Sequence, residues 1–225
     1  MMMTAKKRKE RTVRVKKMNA ILRRLFPSSL IHLNHGSTWE LLVAVILSAQ
    51  CTDKRVNMVT RTLFKKYRTI RAYANASQEE MERMVFQTGF YRAKARYIRR
   101  AAHAILKDHK GVVPDTMAEL TALPGVGRKT ANVVLANAHG KAEGIAVDTH
   151  VRRFAIRFDL SDHKDPKRIE QDLMEIMPPS EWWGFNHRLV EYGRAYCKAQ
   201  KHDCRKHPLT QVFPKANDTW PRAHS

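Results

Sequence analysis

Apolar residues recur along most of this chain in steps of three and four, the spacing that lays them on one face of a helix. The segments that show it run over about 53–67, 78–87, 92–109, 128–138, 166–177 and 185–196. Trp39 to Gln50 is apolar on almost every side, which predicts a central buried helix rather than an amphipathic surface one. Start signals accompany these segments. Ser37 precedes Glu40, Ser77 precedes Glu80 and Thr116 precedes Glu119, each at the spacing of a capping box. In that arrangement the hydroxyl accepts from an early helix N–H while the carboxylate reaches back. Asp165 before Pro166 marks another start, since proline is tolerated in a first turn. Strand-like alternation is scarce, and the pattern predicts an all-α fold.

No internal repeat is visible, and no linker-like stretch divides the middle of the chain. Residues 1–17 read as a basic, flexible N-terminal tail, disordered or loosely helical in isolation. The stretch from Pro208 to Ser225 carries three prolines and little periodicity, so it reads as an irregular arm.

Charge narrows the class of partner. The 225 residues include 42 Lys and Arg against 21 Asp and Glu, a formal +21. The first 17 residues hold eight bases and one acid, so most of the excess lies elsewhere. Such a field favours a polyanion and speeds encounter with it, which points to nucleic acid. Charge alone does not separate DNA from an RNA or ribosomal partner, nor from a merely solvated cationic surface. No apolar run approaches the roughly 18–20 residues a membrane-spanning helix needs. The charged N-terminus is unlike a secretory signal, and residues 4–17 lack the serines of an organellar presequence. Cys51, Cys197 and Cys204 are an odd number, which excludes a disulfide framework and fits a reducing compartment. A bacterial cytoplasmic, nucleoid-associated protein is expected; a nuclear or organellar address stays open.

The stretch most informative about chemistry is Leu120 to Ala138. A short capped helix runs into Leu123-Pro124-Gly125-Val126-Gly127, and a second helix starts near Arg128, with Ala131, Val134, Leu135 and Ala138 on its apolar face. Two glycines two apart let the backbone turn tightly and present N–H groups beside a helix N-terminus, where the dipole favours an anion. This reads as a helix–hairpin–helix that grips a DNA phosphate without reading sequence. A plain glycine turn is the simpler account of GxG by itself; the flanking LPGxGRKTA text argues against it. Lys129 falls in the first turn of the second helix, next to Arg128. A lysine set beside the positive end of the dipole and a neighbouring cation is a candidate nucleophile. Asp148, nineteen residues on and after the short apolar run Gly144 to Val147, is a candidate partner and also a candidate helix N-cap.

Four stretches together resemble the endonuclease III family of the helix–hairpin–helix DNA glycosylase superfamily. They are ILSAQCTDKRVN (46–57), TGFYRAKA (88–95), LPGVGRKTANVVLANAHG (123–140) and AVDTHVRR (146–153), in the family's order, within a likeness spanning about 18–204. The resemblance implies two α-helical domains with a DNA-binding cleft between them. A six-helix domain over about 31–141 would carry the hairpin, and 18–30 plus 142–225 would form the other. It implies a bifunctional glycosylase and abasic-site lyase of base excision repair, acting on oxidised pyrimidines. Lys129 would attack the sugar C1′, Asp148 would assist it, and β-elimination through a Schiff base would cut the strand. Double-stranded DNA bearing damaged bases or abasic sites would be the partner of a monomer. The DNA contacts implied are Leu123, Gly125, Val126, Gly127, Arg128 and Thr130 in the hairpin. Gln50 would fill the space of the flipped nucleotide and Phe90 would wedge beside the estranged base, where leucine is usual. A helix cap for Gln50 and a core aromatic for Phe90 remain the plainer readings.

At the C-terminus the resemblance breaks. The family closes on C-x6-C-x2-C-x5-C, four cysteines that hold a [4Fe–4S] cluster. Here Cys197 and Cys204 are kept, His207 stands in the third place and Phe213 in the fourth. No iron–sulfur cluster is therefore expected, and no other cofactor. By ligand type a zinc site using Cys197, Cys204, His207 and also His202 is an alternative to two cysteines simply packed in a loop. Two other functions compete with the main one: a non-catalytic helix–hairpin–helix DNA-binding protein, and a glycosylase for another base such as oxidised guanine, uracil or mismatched thymine.

Overall fold

The computed structural model describes residues 3–28, 31–141 and 143–220. Among them lie eleven α-helices, two 3₁₀ turns and no strand, as the apolar periodicity predicts. The chain divides into two units, one made of 31–143 and the other of 1–30 with 144–225.

The first of these units contains α2 (Thr38–Ser48), α3 (Asp53–Lys66), α4 (Ile70–Asn75), α5 (Gln78–Val85), α6 (Tyr91–Asp108), α7 (Met117–Ala122) and α8 (Arg128–Ala138). Helix α2 buries Trp39 and every residue from Leu41 to Leu47, and packs against α3, α6 and α8. A helix apolar on all sides has no face to offer water, so its neighbours surround it. Helices α4 and α5 cover α6, and α7 packs on α8. The hydroxyls of Ser37, Ser77 and Thr116 each accept the expected helix N–H, at 3.2, 3.1 and 3.3 Å. The returning carboxylates are less regular: Glu40 accepts from Gly36 N–H at 2.6 Å, and Glu80 pairs instead with Lys66. Of these seven helices, α4 is one that the apolar periods do not mark. Its cap, Thr69, is followed at the third position by alanine rather than an acid, and six residues show no period.

The other unit contains α1 (Ala5–Leu25), α9 (Thr149–Arg157), α10 (Pro166–Ile176) and α11 (Pro179–Ala195). Helix α1 packs on α10 and α11, and α9 packs on α10, α11 and the 3₁₀ turn Pro214–Asn217. Here the expectation of a flexible tail over 1–17 is corrected, since α1 begins at Ala5. Arg11, Val15, Met18 and Leu22 form one buried stripe at steps of four and three. Its first member is an arginine, which hid the period. The Arg11 guanidinium is 1% exposed and donates to Asp159 O, Asp159 Oδ1 and Asp162 Oδ1 at 3.0, 2.7 and 2.8 Å. Arg14 donates to the same loop and lies 4.1 Å over the Phe213 ring. Part of the basic excess near the N-terminus thus holds the fold together. Helix α11 begins six residues before the expected 185, at Pro179, whose lack of an N–H costs nothing in a first turn. The C-terminal arm is irregular, as expected, but anchored by buried Leu209, Thr210 and Ala216.

Candidate active site and nucleic-acid interface

In the hairpin, Leu123 and Val126 are 3% and 6% exposed, and Val126 N–H closes a turn on Leu123 O at 3.1 Å. Their side chains anchor the turn, so only their backbone can meet a ligand. Gly125 has φ +81°, and a Cβ there would fall 2.6 Å from both Cβ and Cγ of Tyr97. Close packing on α6 and a left-handed backbone both demand glycine at this position. Gly127 is different. It is the N-cap of α8 with φ −90°, and a Cβ would meet nothing within 4 Å. Eight of the eleven helices have a side chain accepting at the N-cap, but α8 has none. Its first turn opens onto free space from an unblocked glycine. Arg128 and Lys129 are exposed there, and Thr130 is half-buried.

Two more candidates stand in the same unit. Gln50 follows the end of α2, exposed, with φ +53°. Phe90 precedes α6 with φ +48° and is 72% exposed, which removes the core-aromatic reading. A non-glycine residue in this region costs on the order of 1–2 kcal/mol, so something must hold each loop. Lys94, 3% exposed, does so: its Nζ donates to Leu47 O at 2.8 Å and to Thr88 O at 2.7 Å. One buried ammonium therefore ties the end of α2, which leads to Gln50, to the turn that leads to Phe90. Burial pulls Lys94 below the ordinary lysine value, with Cys51 opposing. Sequence reasoning missed Lys94, although its signal was present as a lysine on the apolar stripe of α6 with Ile98, Ala101 and Ile105.

Asp148 belongs to the other unit. Its Oδ1 accepts from Val151 N–H at 2.8 Å, so it is the N-cap of α9, half-buried and fixed in orientation. The preceding run is buried at Ile145 and Ala146, and Asn186 of α11 donates to Ala146 O.

In that same unit, Arg157 of α9 is fully buried and donates to Cys197 Sγ at 2.8 Å and to Cys204 Sγ at 2.9 Å. It also reaches Ala216 O and Thr219 O, and its guanidinium lies 3.7 Å from the Trp220 ring centroid. Burial pushes the Cys197 thiol up, and Arg157 opposes it. Burial pushes His207 below the usual histidine value, helped by His202 and Arg157. With three cysteines in the chain, of which Cys51 lies in the other unit, a four-cysteine ligand set cannot be assembled. Cys197, His202 and His207 form a group able to hold a metal ion. Cys204, one of the ligands considered for zinc, is outside that group.

Comparison with known proteins shows the family. Residues 43–179 match the model of the HhH-GPD superfamily base excision DNA repair proteins. Endonuclease III of Synechocystis sp. is 45% identical over 87% of this chain and 90% of its own length. The chain belongs to the endonuclease III family. Endonuclease III of Bacillus subtilis is likewise 45% identical, over 84% of this chain and 86% of the relative. A trapped covalent intermediate of endonuclease III with DNA, in an estranged-adenine complex, superposes with a TM-score of 0.86. That protein is 39% identical, and the match covers 96% of this chain and 99% of that one. The protein is thus an endonuclease III-like bifunctional glycosylase and abasic-site lyase of base excision repair. Among the described residues, no helix is long and apolar enough to cross a membrane.

Proposed function

We propose that this protein excises oxidised pyrimidines from double-stranded DNA and then cuts the strand, with Lys129 as nucleophile and Asp148 as its partner. The observation that carries the reading is the exposed Lys129 in the uncapped first turn of α8, directly after the glycine turn. A relative trapped covalently on DNA supports it, because such an adduct needs a nucleophile at the sugar.

In this reading the hairpin backbone at Gly125 and Gly127, with Arg128 and Thr130, holds a phosphate. The damaged nucleotide leaves the stack at a cost of a few kcal/mol. Gln50 fills the space it vacates, and Phe90 stacks beside the estranged base. Lys129 Nζ attacks C1′ while the bond to the base breaks, and the base leaves with that electron pair and a proton. Asp148 balances the positive charge developing on the sugar and accepts the proton the amine loses. The sugar opens to a Schiff base between C1′ and Nζ. Loss of a C2′ proton then expels the 3′ phosphate. None of these steps needs a redox centre, and we assign the protein no [4Fe–4S] cluster. It would act as a monomer, at the nucleoid of a bacterial cell, as its bacterial relatives suggest.

Borohydride trapping on duplexes bearing thymine glycol or an abasic site tests the assignment. The wild type should give a covalent adduct, Lys129→Ala should give none, and Asp148→Asn should slow base release by about 10²–10⁴. Adducts retained by Lys129→Ala would remove the nucleophile. A panel that adds 8-oxoguanine, uracil and mismatched thymine reads the substrate, and preference for any of these would overturn the pyrimidine assignment.

A further inference from the structure

One group of side chains has no part in that chemistry. It lies wholly within the unit formed by 1–30 and 144–225, where the chain leaves α11 and runs to the 3₁₀ turn Pro214–Asn217. We infer that Cys197, His202 and His207 form a zinc site.

The sulfur of Cys197 and one ring nitrogen from each histidine all lie within 4.8 Å of one another. His202 Nδ1 faces Gln200 O at 2.7 Å. A carbonyl only accepts, so Nδ1 carries the proton and Nε2 presents a bare lone pair. That Nε2 is buried and has no hydrogen-bond partner, and the same holds for His207 Nδ1. A zinc-ligating histidine shows this arrangement, with its outer N–H tied to a carbonyl that fixes the ring. The two imidazoles face each other with centroids 5.3 Å apart, and Trp220 and Tyr196 wall them in. A buried imidazole nitrogen left without a hydrogen-bond partner is costly, and a bound cation would supply one.

The donors narrow the choice of ion. One sulfur and two imidazoles suit zinc, whereas calcium and magnesium require oxygen. Zinc bonds of about 2.3 Å to sulfur and about 2.0–2.1 Å to nitrogen set tetrahedral ligand separations of roughly 3.5 Å, so the widest gap closes by at most about 1.3 Å. His202 also lines a surface pocket with Lys201, Asp203, Arg205, Asn217 and Asp218. Cys204 is excluded by its own contacts. Its Sγ accepts from Arg157 at 2.9 Å and donates to Asn217 Oδ1 at 3.4 Å, the pattern of a thiol with both capacities used. Cys197 Sγ accepts the Arg157 donor at 2.8 Å and, unlike Cys204 Sγ, has no carboxamide acceptor beside it, which leaves it a lone pair for a metal.

Cobalt(II) replacing zinc in the full-length protein reports both geometry and sulfur ligation. Chelator-stripped protein should take up one zinc per chain, and cobalt should give intense tetrahedral visible bands with a sulfur-to-metal band in the near ultraviolet. Cys197→Ser should lose the sulfur band and Cys204→Ser should keep it. His202→Gln and His207→Gln should each weaken zinc by at least about tenfold. Far-ultraviolet circular dichroism on every variant separates loss of the site from loss of the fold. No stoichiometric zinc in stripped and reloaded wild type, a stoichiometric iron–sulfur chromophore, or a sulfur band that follows Cys204 would each overturn the site. Borohydride trapping by Lys129 is a separate readout, so failure of either proposal leaves the other standing.

Discussion

The two hairpin glycines look equivalent in sequence and should behave differently when each is changed to alanine. Gly125→Ala places a methyl 2.6 Å from Cβ and Cγ of Tyr97, at φ +81°. The left-handed backbone costs an L-residue about 1–2 kcal/mol. The overlap adds about 1–3 kcal/mol, because Tyr97 Cβ is fixed to α6 and a rotamer change moves only the ring. The expected loss is about 2–5 kcal/mol, a large part of the roughly 5–15 kcal/mol that holds a domain folded. Gly127→Ala meets nothing within 4 Å and has φ −90°. Alanine is a poorer N-cap than glycine by some tenths of a kcal/mol, and it restricts the unfolded chain by about 0.4–1 kcal/mol in the other direction. Stability should therefore change by less than about 1 kcal/mol. In the proposed phosphate grip its methyl would project into the space the phosphate enters, so duplex affinity should fall by about tenfold, or about 1.4 kcal/mol. Urea denaturation gives the first quantity, and fluorescence anisotropy with a duplex carrying an abasic analogue gives the second. Gly127→Ala binding DNA like the wild type would refute the phosphate grip. Gly125→Ala within 1 kcal/mol of wild type would refute the packing argument.

Lys94→Met should leave the carbonyls of Leu47 and Thr88 without their buried donor, at about 1–3 kcal/mol each, partly offset by removal of a desolvated charge. A thermal melt should show clear destabilisation, with weaker damaged-duplex binding as the Gln50 and Phe90 loops loosen; an unchanged melt would contradict the clamp. Attachment of α1 should depend on acid. Lys7 and then Arg11 hold the Asp162 carboxyl below its ordinary value, so this contribution is complete above about pH 4. It is lost as the pH falls through the lowered value in the fold. Proteolytic cutting within 5–25 should rise over that acid window in the wild type, and Asp162→Asn should show the rise already at neutral pH.

Much of the architecture was readable from local rules. Helices α2, α3, α6, α8 and α10 begin and end within two residues of their apolar periods, because caps and amphipathic stripes are short-range properties. The candidate hairpin was equally legible, since tight turns constrain residue type locally. Helix α4 was not, being too short to show a period. Helix α1 was hidden by its buried arginine.

By itself the sequence determined the helical content, the hairpin, the family motifs carrying Lys129 and Asp148, and the loss of two cluster cysteines. Tertiary structure decided the partners of three cations set on apolar stripes. Arg11 pairs with Asp159 and Asp162, Lys94 with two carbonyls, and Arg157 with two sulfurs and the Trp220 ring. It also left Cys204 outside the group of Cys197, His202 and His207 and brought His202 beside His207. The reason is physical. Periodicity shows that a charged residue lies on a buried face, but a buried charge survives only through donors and acceptors that come from distant parts of the chain.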